Sequence, residues 1–329
     1  SFTRGVFQGS LRRLLARDDE EQLALGFAAE VHVHGSAQLK VSGCLGHATS
    51  LARETPFVVP AKQAIGTGGT CAWRLGGVDP TSAVALCFQV QDGAVTRETT
   101  HAYIQLSCKY RHASGCTHLR VTTVAKPLAN MATAEGAQLV RAGFDQEVAA
   151  AILTRLALHQ VKTMYPVDVL RWLDKALIRL CARFATCPTA QKDPNQMQLA
   201  PQFSLLPQLV FHLRRSQLLQ VFNCSPDETA FFRLVCARQA VSETLLMVQP
   251  SLIAYSPSAP AAPVPLDVAA CAPDRVLLLD TFFHIVVWYG DSVVRWRAEG
   301  LHTRPEYEYF ATMLRAPLEQ SRVALTTRL

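Results

Sequence analysis

The sequence predicts a multidomain α+β protein made of a β domain, a helical domain and an α/β domain. With 329 residues, the chain is longer than the size at which one hydrophobic core usually keeps growing. Its hydrophobic pattern also changes twice, from the alternation of strands over residues 23–124 to a helical period over 145–238, and back to strands from 276. These changes predict successive domains of different class.

The first half of the chain predicts one short helix followed by a β domain. Residues 7–16 have helical spacing and end at an acidic run. Residues 31–34, 39–41, 83–90 and 119–124 alternate or are rich in β-formers, and glycines and prolines separate them. Several short strands between such turns predict an antiparallel sandwich or barrel.

Three helix starts mark the middle of the chain. Asp145 is a predicted N-cap, and Pro166 lies where a helix can begin. Ser225 and Glu228 have the spacing of a capping box around Pro226 at the first helical position. The apolar stripes that follow these residues predict a helical domain.

The last part of the chain predicts a linker and then an α/β domain. Residues 256–265 are rich in proline and alanine and are interpreted as a domain linker. Residues 276–279, 282–289 and 293–296 are predicted strands, with a turn at Gly290 and Asp291. Residues 305–314 suit a helix packed on that sheet.

Composition excludes several classes of protein. Apolar residues make up 49% and charged residues 18%, as is ordinary for a folded globular chain and not for a disordered one. The most apolar stretch, 276–289, is interrupted by Asp280 and His284 and is too short for a membrane span. The net charge of +6 is too small to diagnose a partner, although a basic face toward anionic lipid is compatible with it.

The ten cysteines are interpreted as buried, reduced thiols of a cytosolic protein. No CxxC pair occurs, whereas structural zinc sites usually draw their ligands from such pairs. A disulfide-stapled secreted domain is typically much shorter. We therefore expect neither a metal site nor any other cofactor within this chain.

Two motifs resemble ligand sites and are given plainer interpretations. His32 and His34 share one face of a strand, but no third metal ligand lies near them in the sequence, so exposed or core-edge histidines are favoured. The run 66–70 is glycine-rich but lacks the Gly-Lys-Ser/Thr ending of a phosphate loop, and strands follow it. It is interpreted as a turn.

No catalytic constellation is found in the sequence. Asp168 and Asp174 are six residues apart, so they do not share a helix face as paired carboxylates do. Arg214 and Arg215 can grip a phosphate or a carboxylate, and structural ion pairing at a domain junction is an equal alternative. The residues alone therefore predict a soluble protein without a self-contained active site.

Eight strings, in order along nearly the whole chain, resemble the GTPase-activating subunit family of the COPII inner coat. They are residues 65–73 (IGTGGTCAW), 119–125 (LRVTTVA), 143–147 (GFDQE), 168–174 (DVLRWLD), 212–223 (HLRRSQLLQVFN), 225–228 (SPDE), 278–283 (LLDTFF) and 305–308 (PEYE). The resemblance implies four segments: residues 1–17 as the last helix of a von Willebrand A-like trunk, 18–142 as a β-barrel or sandwich, 143–245 as a helical domain, and 246–329 as a C-terminally incomplete gelsolin-like domain. The family's zinc finger lies outside this chain, so zinc is expected only there.

The resemblance implies a coat subunit that activates a Sar-type small GTPase in ER-to-Golgi transport. Family members supply an arginine that neutralises charge during GTP hydrolysis. That arginine lies beyond the position of Leu329, and Arg328 corresponds to an earlier family arginine. The chain is therefore expected to be no enzyme and not to stimulate hydrolysis by itself. The alternative is a non-catalytic structural coat or cargo-adaptor paralogue of the same architecture.

The partners implied by the resemblance are the Sar-type GTPase, the COPII cargo-adaptor subunit, proline-rich segments of the outer coat and the membrane surface, with no nucleic acid. The expected location is cytoplasmic, on the cytosolic face of the endoplasmic reticulum and of COPII vesicles. Tyr307 and Glu306 are the candidates for the proline-rich contact, because a tyrosine can stack on a polyproline helix. The alternative for Tyr307 is simple packing of its helix on the sheet. Arg214 and Arg215 are the other candidate partner-binding residues.

Overall fold

The structure is a computed structural model that describes residues 3–91, 93, 101–186, 196–221 and 224–328. Two compact units divide the chain. The larger runs over residues 14–244, and the smaller combines residues 1–13 with 245–329. Among the described helices, none has both the length and the apolar content that crossing a bilayer requires. Sheets and helices occur in both units, which confirms the multidomain α+β class.

The larger unit begins with a β-sandwich of two antiparallel sheets. One sheet has the order β3-β4-β1-β6-β7, and the other pairs β2 with β5. The strands are β1 (Gly26–Gly35), β2 (Leu39–Leu45), β3 (Thr49–Ser50), β4 (Ala72–Val78), β5 (Ala85–Val90), β6 (His101–His112) and β7 (Thr117–Pro127). The predicted strands all lie within or overlap these, whereas β3, β4 and β6 were not predicted.

The core of the sandwich is formed by the alternating residues of β1, β2 and β4. Val31, Val33 and Val41 are buried with Cys44 and Trp73. Trp73 is only 1% exposed, and its indole N–H donates to the carbonyl of Thr67, 2.9 Å away. This hydrogen bond satisfies the polar atom that burial of the ring would otherwise leave unpaired.

The second layer of the larger unit is helical. Its elements are α2 (Ala134–Ala142), α3 (Gln146–Gln160), α4 (Pro166–Phe184), α5 (Leu206–Arg215), α6 (Pro226–Arg238) and α7 (Val241–Val248), the last of which spans the boundary between the units. Helix α3 contacts α4, α5, α6 and strand β2. It is therefore the central helix, which explains why it is buried around much of its circumference.

The predicted helix starts at Asp145 and Ser225 are confirmed by their capping hydrogen bonds. Asp145 accepts hydrogen bonds from the amides of Glu147 and Val148 at 2.9 and 3.0 Å. The Ser225 hydroxyl accepts from the Glu228 amide at 3.2 Å, while the Glu228 carboxylate accepts from the Ser225 amide at 2.9 Å. These bonds satisfy amides at the helix ends that have no partner within the helix.

The smaller unit is a four-stranded antiparallel sheet of order β11-β10-β8-β9 with helices on one face. Its elements are α1 (Thr3–Leu14), β8 (Ser251–Ser256), β9 (Ala259–Pro263), β10 (Val276–Asp280), β11 (Ile285–Tyr289), α8 (Asp291–Ala298) and α9 (Glu308–Arg328). Tyr255, Val276 and Leu278 of the sheet pack against Val293 of α8 and Phe310 of α9. The helix predicted over 305–314 is confirmed from Glu308 onward, where α9 begins, while 305–307 form a turn of 3-10 helix before it.

Two predictions for the smaller unit are wrong. Residues 293–296, predicted as a strand, lie in α8, and the chain enters this helix at Gly290, whose backbone is packed against the carbonyl of Pro273. Residues 256–265, predicted as a linker, instead supply β9, which pairs with β8 inside the same unit. Strand β9 lies at the sheet edge, which is where prolines are tolerated in a sheet because they lack the ladder N–H.

Candidate partner-binding sites

The two motifs that resemble ligand sites, His32 with His34 and the run 66–70, lie in strand β1 and in a loop. In the described residues, no three histidine, cysteine or acidic side chains come together as metal ligands do. The Nδ1 of His32 lies 3.1 Å from a guanidinium nitrogen of Arg53, and His34 is exposed. The run 66–70 is a loop, as predicted, with Gly66 and Gly69 at φ +71° and strand β4 directly after it.

Arg214 and Arg215 follow each other at the end of α5 but make different contacts. The Nε of Arg214 lies 3.0 Å from a carboxylate oxygen of Asp174 on α4, at an angle unsuited to a hydrogen bond, so the contact is an ion pair. The guanidinium of Arg215 lies over the ring of Phe211 at 5.4 Å from its centroid. Both charges are therefore partly engaged within the larger unit, and each remains partly exposed. Their role in partner binding stays a prediction.

Tyr307 and Glu306 lie in the turn of 3-10 helix that precedes α9. Tyr307 is half-buried and packs against the cluster that contains Phe310, whereas Glu306 is exposed. Tyr309 was not predicted as a site residue, yet it is 53% exposed and its ring centroid lies 6.2 Å from that of Tyr307. The two rings form an aromatic pair in which Tyr307 is anchored and Tyr309 faces solvent.

Arg328 is held by an acidic turn. Its guanidinium donates to both carboxylate oxygens of Asp280 at 2.6 Å, and it lies 5.1 Å from the ring centroid of Phe282. A weaker contact of 3.4 Å reaches the carbonyl of Phe282, a residue whose φ of +72° is unusual for a bulky side chain. Arg13 donates to the carbonyl of Arg328 at 2.8 Å. Arg328 thus closes the turn between β10 and β11, with its charge paired to the Asp280 carboxylate.

Comparison with known proteins identifies the domains. Residues 26–129 match the model of the Sec23/Sec24 beta-sandwich domain, and residues 145–246 match that of the Sec23/Sec24 helical domain. Together the two matches cover more than half of the chain.

The chain belongs to the Sec23/Sec24 family.

The Sec23/Sec24 fold is also found in a solved structure that is similar to most of the chain. The crystal structure of the human COPII-coat protein Sec24c aligns with a TM-score of 0.66 and 19% sequence identity. The alignment covers 86% of this chain and 33% of the other, so this chain spans about one third of that protein's length. The two family matches coincide with the β-sandwich and the helical layer of the larger unit, which are therefore Sec23/Sec24 domains in both sequence and structure.

Proposed function

We propose that this chain is a structural, non-catalytic part of a COPII coat subunit, of the structural or cargo-adaptor type. The observation that carries the proposal is the run of two consecutive Sec23/Sec24 domains within a fold shared, over most of the chain, with the COPII-coat protein Sec24c. On this proposal the protein acts at the cytosolic face of the endoplasmic reticulum and of COPII vesicles.

Recruitment to membranes tests the coat assignment. The full-length protein that contains this chain is mixed with liposomes rich in anionic lipid, a Sar-type GTPase and either a GTP analogue or GDP. We expect co-sedimentation with the liposomes only when the GTPase carries the GTP analogue and the other inner-coat subunit is present. Equal sedimentation with GDP, or none under any condition, would contradict the proposal.

A second candidate is the GTPase-activating subunit of the same coat. It is favoured by the eight sequence strings that resemble that subunit, whereas the likeness to Sec24c supports the non-catalytic reading better. The candidates differ in one measurable property, the stimulation of GTP hydrolysis by a Sar-type GTPase. In either case Arg328 serves the fold, because moving it toward a GTPase would leave Asp280, 14% exposed, without its cation.

The aromatic pair beside α9 is the proposed contact for proline-rich segments of the outer coat. Polyproline helices bind between aromatic side chains, and Tyr309 exposes a ring next to Tyr307 while Glu306 adds an exposed acceptor. We expect Tyr309→Ala to weaken binding of a proline-rich peptide about tenfold by calorimetry. Tyr307→Phe is the matched control, because it keeps the packed ring. Unchanged affinity of Tyr309→Ala would remove this site.

The remaining partners are proposed from the family. Contact with the other inner-coat subunit and with the Sar-type GTPase is expected of the full-length protein. Arg214 and Arg215 are the proposed anion contacts, toward either a partner carboxylate or lipid phosphate, since both guanidinium groups remain partly exposed. We expect Arg215→Gln to weaken sedimentation with anionic liposomes more than Arg214→Gln, because the Asp174 carboxylate already holds Arg214. The reverse order would show that Arg214 contacts the anion.

A further inference from the structure

A buried arginine lies where the β-sandwich meets the helical layer of the larger unit. Arg155 belongs to α3, the central helix, and is 7% exposed. Helix α3 contacts β2 and α6, and a terminal guanidinium nitrogen of Arg155 donates to the backbone carbonyl of Gln239, directly after α6. Arginine is almost never so deeply buried unless its charge is paired. We therefore looked for the group that pairs it.

Two hydrogen-bond donors at this junction have no partner among the described residues. One is the Nε of Arg155, and the other is the side-chain amide nitrogen of Gln239, which is 2% exposed. The two residues are in direct contact through the hydrogen bond to the Gln239 carbonyl. A buried donor without an acceptor is costly, because it has given up its hydrogen bonds to water. A group that satisfies both atoms is an acceptor.

The charge of Arg155 has no counter-charge in the described part of the chain. The ionisable groups that act on it are the thiols of Cys236 on α6 and Cys44 on β2, and no carboxylate is among them. Burial raises the pKa of both thiols to about 12, so both are neutral at pH 7. Burial also lowers the pKa of Arg155, but a guanidinium keeps its proton in proteins. A single positive charge therefore remains at this buried place.

A water molecule meets only one of the two requirements. Water accepts hydrogen bonds from buried donors, but it supplies no charge, and a buried cation without a counter-ion is strongly destabilising. An anion supplies the acceptor and the charge together. Because one charge is to be balanced, and because Cys44 and Cys236 are 2% and 0% exposed, the setting suits a compact monovalent ion better than a phosphate.

We propose that Arg155 and Gln239 bind a small monovalent anion, such as chloride, at the junction of β2, α3 and α6. The Nε of Arg155 and the amide nitrogen of Gln239 donate to the anion, which neutralises the guanidinium. Strand β2 belongs to the beta-sandwich domain, and α3 and α6 belong to the helical domain. The bound anion therefore stabilises the packing of the two domains on each other. This site does not depend on the coat assignment.

Exchange of the anion at constant ionic strength tests the proposal. Urea unfolding of the 329-residue chain is compared in sodium chloride and in sodium gluconate, whose anion is too large for a buried site. Hydrogen exchange of the α3 amides follows the transition, so the readout belongs to the larger unit. An anion that binds only the folded chain raises the folding equilibrium constant. For a Kd of about 10 mM, we expect roughly a twentyfold increase in about 200 mM chloride.

Two variants remove the site in different ways. Arg155→Met deletes the charge and keeps most of the aliphatic length, and replacing a buried charge by an apolar side chain is often neutral or stabilising. Gln239→Glu supplies a carboxylate of the same shape beside the guanidinium, in place of the anion. We expect both variants to fold with a urea midpoint that no longer differs between the two salts. The matched control, Arg233→Met on α6, should keep the difference, because the Nε of Arg233 already donates to the Leu218 carbonyl at 2.9 Å.

Bromide locates the ion without reference to stability. In crystals of the wild-type chain soaked in sodium bromide, we expect an anomalous peak in contact with the Nε of Arg155. Equal wild-type stability in chloride and gluconate would show that water alone serves the two donors and would overturn the proposal. The absence of a bromide peak there, a chloride dependence that persists in Arg155→Met, or its loss in Arg233→Met would overturn it as well.

Discussion

Replacing Arg328 by methionine removes the cation that closes the β10–β11 turn while keeping most of the aliphatic length. The Asp280 carboxylate, whose side chain is 14% exposed, then loses two donors at 2.6 Å. Breaking a fully buried ion pair costs about 3–5 kcal/mol. Because Arg328 is 18% exposed and ends the last helix, we expect a smaller loss, about 2–3 kcal/mol of the unfolding free energy of the smaller unit.

Urea unfolding measures this loss in the smaller unit. Trp288 and Trp296 lie in that unit, whereas Trp73 and Trp172 lie in the larger one, so the transition that shifts in the variant is assigned by hydrogen exchange of the smaller unit's amides. With a slope of about 1–3 kcal/mol per molar urea, the expected shift of the midpoint is roughly 1 M or more. Hydrogen exchange of the turn amides should accelerate in the same variant, because the turn opens more often.

A double-mutant cycle separates the ion pair from other effects of the substitution. Asp280→Asn alone should also destabilise the unit, and the double variant should lose less than the sum of the two single variants. Additive losses, or a change below about 0.5 kcal/mol in Arg328→Met, would show that the ion pair with Asp280 does not stabilise the turn.

The remaining predictions concern helix capping, protonation and thiol reactivity. Ser225→Ala should lower the unfolding free energy of the larger unit by about 1 kcal/mol, measured in urea, because the amide of Glu228 loses its cap. Burial lowers the pKa of His159 and of His212, with nearby Lys162 and Arg215 adding to it. Near and below the ordinary histidine pKa, the unfolded chain therefore binds more protons than the folded chain. The unfolding free energy should fall as the pH drops from 7, by no more than ~1.4 kcal/mol per pH unit for each histidine. A double His159→Gln, His212→Gln variant should flatten that slope, and an unchanged slope would contradict the assignment. Burial raises the pKa of Cys236 to about 12, so it should resist alkylation until the chain unfolds, whereas exposed Cys271 should react in the folded protein, as peptide mass mapping can show.

Local signals were sufficient for much of the fold. The helix starts at Asp145, Pro166 and Ser225 depend on side chains within three or four residues, and the structure contains all of them. Strand β1 was found because its residues alternate, and β7 was found because it is rich in β-formers. The missed strand β6 carries the same signal, since residues 101–108 alternate polar and apolar side chains.

The wrong predictions depend on contacts that are distant in sequence. Residues 293–296 have β-forming side chains, but the close approach of Gly290 to Pro273 directs the chain into a helix, and Val293 completes a core with Phe310. Strand propensity is overridden there by tertiary packing. The proline-rich segment can pair with β8 because β9 lies at the edge of the sheet, where the ladder N–H that proline lacks is not needed on the outer side.

The sites were less predictable than the fold. Tyr309 could have been found as an aromatic residue two positions after Tyr307, but its exposure follows from how α9 packs. A cleft of the larger unit is lined by Arg120, the Gly76–Gly77 pair and Arg238, which are far apart in the chain. No local pattern places these residues side by side.

Single-turnover GTP hydrolysis by a Sar-type GTPase tests whether this chain belongs to a non-catalytic coat subunit. The reaction is measured with no addition, with the full-length protein that contains this chain, and with its Arg328→Met variant. We predict the same hydrolysis rate in all three reactions. Acceleration by orders of magnitude that persists in Arg328→Met would show the GTPase-activating subunit and contradict the non-catalytic proposal. Acceleration that is lost in this variant, with the fold intact, would also contradict the structural role of Arg328.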